Sequence, residues 1–145
     1  MKIYIVNTKY VDYLRESDPK VLVNEEDGKI RKYVGIVLEI NKFNYFVPLS
    51  SPKDSDYIFI NSIKTVRKTN VPIHRIIVLD GDKENFFGKL KFSSMIPVPD
   101  NQIALLDVNN IKNRSYKSII ENQIRYIRKN KGSLKKNKSL LAQWC

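Results

Sequence analysis

Ser50, Ser51 and Lys53 fall within four residues, in the run Pro48-Leu49-Ser50-Ser51-Pro52-Lys53, while Arg31 and Lys32 stand just ahead of a long apolar run. These side chains offer hydrogen-bond donors and fixed positive charge, with no imidazole and no carboxylate. Such a set suits a phosphate, whose oxygens accept from hydroxyls and whose charge lysine and arginine neutralise. It contains no ready proton acceptor. Lysine titrates near about 10.4, so Lys53 is read first as a source of charge and only second as a base. A solvated hairpin end furnished with turn-favouring serines has the same composition, and placement must decide between the two.

The elements that would place them are two strands. Residues 31–40 and 43–53 are rich in β-branched and aromatic side chains, which fit a half-buried pleated surface. Asn41-Lys42 lies between them, and asparagine tolerates the positive φ of a tight hairpin turn. The hairpin so predicted brings Arg31 and Lys32 to Ser50, Ser51 and Lys53 at its open end. Pro52 cannot donate to a ladder, so the strand stops there and Lys53 begins a loop that continues through Asp54-Ser55-Asp56.

Around this hairpin the pattern predicts a strand over Lys2–Val6, a short helix capped by Thr8 and running to Arg15, and a loop over 16–30. Further strands are expected over 57–63, 73–79, 86–92, 95–99 and 103–108, with Asp80-Gly81-Asp82-Lys83 as a turn. Residues 64–70 show no period. Pro97 implies an edge strand or a bulge. Tyr116, Ile119, Ile120, Ile124 and Ile127 follow helical spacing and predict an amphipathic helix capped by Ser115, ending near Lys131 at Gly132. A last turn over 139–144 would dock Leu140, Leu141 and Trp144. Short strands in succession with one late helix predict an α+β fold: a compact bent antiparallel sheet or partly open barrel with helices packed outside.

A chain of 145 residues is one domain, taken here as 1–145. Its single cysteine, Cys145, and single histidine, His74, rule out an internal disulfide and the usual transition-metal ligand sets, so no cofactor is expected. His74 opens an apolar strand far from the serine pair and is read as structural. No apolar run approaches the roughly 20 residues of a membrane span, and the expected location is cytoplasmic. The net charge of +11 is uneven: residues 108–145 hold 10 basic groups and one acidic group, Glu121. A block of this kind is a solvated face or a surface for an anionic partner.

One phosphate chemistry needs neither nucleophile nor metal from the protein. RNA carries its own 2′-OH, and a protein that aligns it with the leaving 5′-oxygen and neutralises the phosphorane catalyses its cleavage. Lys53 and Arg31 would supply charge, Ser50 and Ser51 hydrogen bonds. Tyr10, beside Lys9, reads either as a core aromatic or as a surface on which a base stacks.

The chain resembles the ToxN/AbiQ family, endoribonuclease toxins of type III toxin–antitoxin systems that act in phage defence. The resemblance rests on an ordered set of segments over about residues 2–130: Lys9–Leu14, Tyr33–Ile40, Pro48–Lys53, Met95–Pro97 with Leu105–Asp107, and Tyr116-Lys117 with Gln123–Arg128. It implies a fold similar to the MazF/Kid toxins and metal-independent cleavage leaving a 2′,3′-cyclic phosphate and a 5′-hydroxyl. It implies as partner a repeated small RNA, cut into pseudoknotted units that hold the toxin in a closed inactive assembly. Carried over by position, the hydroxyl pair falls on Ser50 and Ser51 and the lysine on Lys53. The basic residue falls on Arg31, with Lys32 as the alternative, and the N-terminal tyrosine on Tyr10. A tyrosine that some members carry before the basic residue has no counterpart, since Asp27 lies in that region. Lys9, Tyr10, Tyr116, Lys117, Arg125, Arg128 and Lys129 are the expected RNA contacts. The competing readings are a non-catalytic RNA-binding module and a peripheral membrane protein using the basic C-terminal block.

Overall fold

The computed structural model describes residues 1–68 and 73–136. The predicted turn over 139–144 lies outside them. The chain runs β1 (Lys2–Val6), α1 (Thr8–Ser17), β2 (Glu25–Glu26), β3 (Lys29–Ile30), β4 (Lys32–Ile40), β5 (Phe43–Ser50), β6 (Tyr57–Ile60) and β7 (Ile63–Val66). It continues through β8 (Ile73–Asp80), β9 (Lys83–Lys91), β10 (Ile96–Pro97), β11 (Ile103–Leu105), α2 (Arg114–Lys129) and α3 (Lys131–Lys136).

Period-2 patterning in the central hairpin sorts its side chains onto two faces. Tyr33 and Phe46 join Val6, Val11, Val21, Ile96 and Val98 in a cluster beneath α1. Val34 and Val47, one residue along, join the larger cluster that Ile120 and Ile127 of α2 complete from the other side. Both isoleucines are almost fully buried, each worth roughly 1.5–3 kcal/mol relative to exposure. The sheet is thus covered on both faces, and the two strands at its centre are apolar on both. Its order is β11-β1-β4-β5-β9-β8, with β10 paired to β5. All the pairings are antiparallel, and the sheet does not close. The α+β reading with helices outside holds. No described helix is long and apolar enough to cross a membrane.

The Asn41-Lys42 turn is as expected, with φ of 51° and 70°. Other boundaries differ. Asn7, not Thr8, caps α1: its side chain accepts from the Lys9 amide at 3.0 Å, and the helix runs on to Ser17. Asn113, not Ser115, caps α2 by accepting from the Tyr116 amide at 3.0 Å. Asn130 ends that helix, so Gly132 lies inside α3 rather than stopping α2. The strand expected over 57–63 is a hairpin, turned by Asn61 and Ser62 at φ of 52° and 65°, which makes strand of 63–66. Strands at 95–99 and 103–108 shrink to Ile96–Pro97 and Ile103–Leu105, with Pro97 on the short β10 as its missing donor requires.

The stretch 16–30 is not plain loop. After α1 it is fastened by buried Asn24, whose amide donates to the Val6 carbonyl and Thr8 hydroxyl, both at 3.0 Å. It then forms the two-stranded β2–β3 hairpin, turned at Asp27 and Gly28.

Candidate active site

The open end of the β4–β5 hairpin forms one wall of a cavity of about 490 Å³, and Arg31, Lys32, Ser50, Ser51, Lys53 and Tyr116 all line it. Arg31 is held as a rigid fork. Its Nη1 donates to the Leu49 carbonyl at 3.1 Å and to Ser50 Oγ at 3.0 Å, and its Nε to the Val23 carbonyl at 2.9 Å. Lys32, one residue along, points differently: its ammonium stands 5.3 Å from the Tyr116 ring centre, and that of Lys29 stands 5.0 Å from the same ring centre. Arg31 therefore belongs with the serines and Lys32 with the tyrosine. Ser50 is buried and Ser51 exposed. Since Ser50 Oγ accepts from Arg31, its own proton remains available to donate.

Gly88 makes this wall possible. A Cβ there would lie 2.7 Å from the Ser50 carbonyl oxygen and 3.2 Å from Gln123 Nε2, and its φ of +122° excludes other residues independently. β9 can therefore press close against the end of β5, where Ser50 pairs with Lys89. Gln123 Nε2 donates to the Phe87 carbonyl at 2.7 Å and ties α2 to the same place.

Three charged cavity residues escaped the reading of the sequence: Lys29, Glu26 and Lys91. Glu26 bridges the cations, with Oε2 3.0 Å from Arg31 Nη2 and Oε1 3.2 Å from Lys53 Nζ. The hydrogen bond from Lys53, then the charges of Lys53 and Arg31, hold its carboxyl below the ordinary carboxylate value. Lys91, on β9, lines the cavity as well. Burial, followed by the like charges of Lys89, Arg31 and Lys53, pushes its ammonium below the ordinary lysine value against the pull of Asp56.

Behind Lys53 lies a buried ionic knot. Asp56, 1% exposed, ends the tight turn that follows Lys53. Its Oδ2 accepts from the Lys53 amide at 2.8 Å and from Lys89 Nζ at 2.7 Å. Its Oδ1 takes two bonds from Arg75, at 2.9 and 3.2 Å. Burial alone would raise this carboxyl, but the bonds from Lys89, the Lys53 backbone and Arg75 prevail and hold it below its ordinary value. The knot fixes the backbone that carries Lys53 to the two strands beneath it. A charged residue inside an apolar strand, as Arg75 is, was the available signal. Its partner 19 residues away was not.

The other predicted residues lie elsewhere. Lys9 and Tyr10 are on α1, and neither lines the cavity. The Tyr10 hydroxyl donates to the Pro97 carbonyl while its ring packs on the cluster beneath α1, the geometry of a core aromatic. Lys117, Arg125, Arg128 and Lys129 are spread along α2 outside the cavity, the last three exposed. His74 Nε2 lies 2.6 Å from the Tyr126 hydroxyl and ties β8 to α2, away from the serines.

Fold and site together make this a small α+β protein with a basic, hydroxyl-lined cavity at the end of its central hairpin. The family described as toxin ToxN, type III toxin–antitoxin system, matches residues 2–143, and the chain belongs to it. It is 35% identical over 133 residues to endoribonuclease ToxN of Pectobacterium atrosepticum, across 90% of this chain and 72% of that one. Against endoribonuclease ToxN of Bacillus thuringiensis subsp. kurstaki it is 36% identical over 107 residues, 74% of this chain and 48% of the relative. Against endoribonuclease AbiQ of Lactococcus lactis subsp. lactis the identity is 32% over 128 residues, 88% and 66% of the two chains. The chain thus spans less than two thirds of the length of two of these relatives. A solved chain described as "A processed non-coding RNA regulates a bacterial antiviral system" superposes with a TM-score of 0.81 at 30% identity, over 99% of this chain and 85% of its own. Another, from work on "selective toxin inhibition by a non-coding RNA pseudoknot", gives 0.72 at 26% identity, over 99% and 89%.

Proposed function

We propose that this chain is a metal-independent endoribonuclease toxin, cytoplasmic, held inactive by a small repeated RNA. The observation that carries the chemistry is the meeting of Ser50, Ser51, Arg31 and Lys53 in one cavity, with the two cations already holding one carboxylate. A group with two anionic oxygens already sits there, and the phosphodiester of a substrate RNA would use the same donors. The 2′-oxygen of the RNA attacks its own phosphorus, the bond to the 5′-oxygen breaks, and a 2′,3′-cyclic phosphate and a 5′-hydroxyl result. Arg31 and Lys53 neutralise the charge that accumulates on the phosphorane, and Ser51 with Ser50 donates to its equatorial oxygens. Lys91 lines the same cavity; the 2′-proton passes to solvent, and the departing 5′-oxygen takes a proton from solvent.

The antitoxin RNA would be gripped over a wider surface. Arg125, Arg128 and Lys129 are exposed, and none of them is in an ion pair shown among the described residues. Lys117, Lys9, Lys32 and Tyr116 extend that surface, and a pseudoknotted RNA lying across several toxin chains would close the assembly. Incubation of the purified chain with RNA in excess chelator tests the chemistry. The expected products carry 2′,3′-cyclic phosphate and 5′-hydroxyl ends at undiminished rate. Binding without any cleavage would leave an RNA-binding module instead.

A further inference from the structure

We propose that Glu26 is a carboxylate gate: it occupies the seat of the scissile phosphate in the free protein and must be displaced before RNA can react. This rests on the reading of Arg31 and Lys53 as the phosphate's ligands. The geometry is direct. One carboxylate spans both cations, at 3.0 Å to Arg31 Nη2 and 3.2 Å to Lys53 Nζ, and each of its oxygens is given to one of them. A phosphodiester likewise presents two oxygens from one centre. The two anions compete for the same N–H donors and repel each other, so binding of one weakens the hold of the other.

The setting of Glu26 allows its departure. It lies on β2, which among the described residues pairs only with β3, through two residues on each strand, and this small sheet is separate from the large one. A two-stranded ribbon of that size has little stability of its own. Its far anchor is Asn24, buried and bonded to the body of the protein, with the Arg31 amide donating to the Asn24 carbonyl at 2.7 Å. The ribbon can therefore swing about Asn24 and Arg31 without disturbing the core. The Glu26 side chain is about half exposed, and nothing but the two cations bonds it among the described residues.

The gate also has a use. Arg31, Lys53, Lys91, Lys29 and Lys32 crowd one cavity, and without a counter-anion such a site would capture any small phosphate. A built-in carboxylate raises the threshold, so that an RNA must bring further contacts to open the seat.

The test measures binding of a short 2′-O-methyl RNA, which keeps the phosphates and cannot be cleaved, together with cleavage of the all-ribose strand. Glu26→Gln keeps the shape of the side chain and removes its charge. It is expected to tighten binding about threefold to tenfold, the scale of two partly exposed ion pairs, and to raise kcat/KM by a similar factor. Glu25→Gln removes the same charge from the neighbouring residue, which has no ion pair shown, and is expected to change binding less than twofold. In a Lys53→Met background the gain from Glu26→Gln should shrink, since the gate then blocks one donor fewer. An equal gain from both glutamine variants would reduce the effect to net charge and overturn the gate. So would no gain, or a hundredfold fall in turnover, which would make Glu26 a proton acceptor. If Lys53→Met leaves RNA binding and cleavage intact, the phosphate reading itself fails, an outcome distinct from failure of the gate alone.

Discussion

Ser51→Ala lowers RNA cleavage by about 10²–10³ while leaving the melting temperature and RNA affinity close to their starting values. Ser51 is exposed beyond the end of β5, so its hydroxyl contributes little to the fold, whereas loss of one preorganised donor to a transition-state oxyanion has a cost of that size. Lys53→Ala falls by at least as much, because Lys53 carries charge to the same place. Lys53→Arg separates two roles. Arginine restores part of the rate if the residue stabilises charge, and none if it transfers a proton, since guanidinium does not titrate in this range. Single-turnover cleavage of one labelled RNA by the three variants reads all of this. An active Ser51→Ala protein would remove the hydroxyl from the mechanism.

Asp56→Asn destabilises the protein by about 3–5 kcal/mol, the cost of leaving buried charges without their partner. Arg75 and Lys89 are both buried against the one carboxylate, and an amide cannot answer either charge. The same substitution loosens the backbone under Lys53, so cleavage falls together with stability. The pH dependence has a definite sign. Asp56 is held below its ordinary value in the folded protein, so its contribution is complete above the unfolded carboxylate value of about 3.9 and is lost as pH falls through the lower folded value. Denaturant titrations of both proteins from neutral to acidic pH should show their stabilities converging below about pH 4. Parallel curves throughout would mean that the knot holds little energy.

The hydroxyl and cation set was legible because it depends on local rules. β-Branched strands, a turn tolerant of positive φ and a proline that ends a strand place Ser50 beside Arg31 and Ser51 in the same cavity with no knowledge of the rest of the fold. The face of α2 was legible for the same reason, through the helical spacing of Ile120 and Ile127. The capping residues were misplaced by one or two positions because several polar residues stand at each helix start, and only backbone geometry chooses Asn7 over Thr8 and Asn113 over Ser115. What the sequence concealed is non-local. Asp56 meets Arg75 and Lys89 across 19 and 33 residues, and Glu26 meets Lys53 across 27. Each acidic residue stands in a polar run that reads as ordinary loop, so nothing beside it marks an acid with buried or catalytic partners. Tyr10 shows the opposite limit: an aromatic beside a lysine fits a stacking surface equally well until its hydroxyl is found on the Pro97 carbonyl.

In the proposed reaction the RNA supplies its own nucleophile to a site of hydroxyls and cations. The most direct measurement uses a short RNA cut at one position, compared with the same strand carrying a single 2′-deoxy nucleotide immediately 5′ of the scissile bond, both in excess chelator. The all-ribose strand is expected to be cut to a 2′,3′-cyclic phosphate, while the substituted strand binds with similar affinity and is not cut at that bond. Cleavage of the 2′-deoxy strand at a comparable rate would contradict the proposed reaction, because water or a protein side chain would then be the nucleophile.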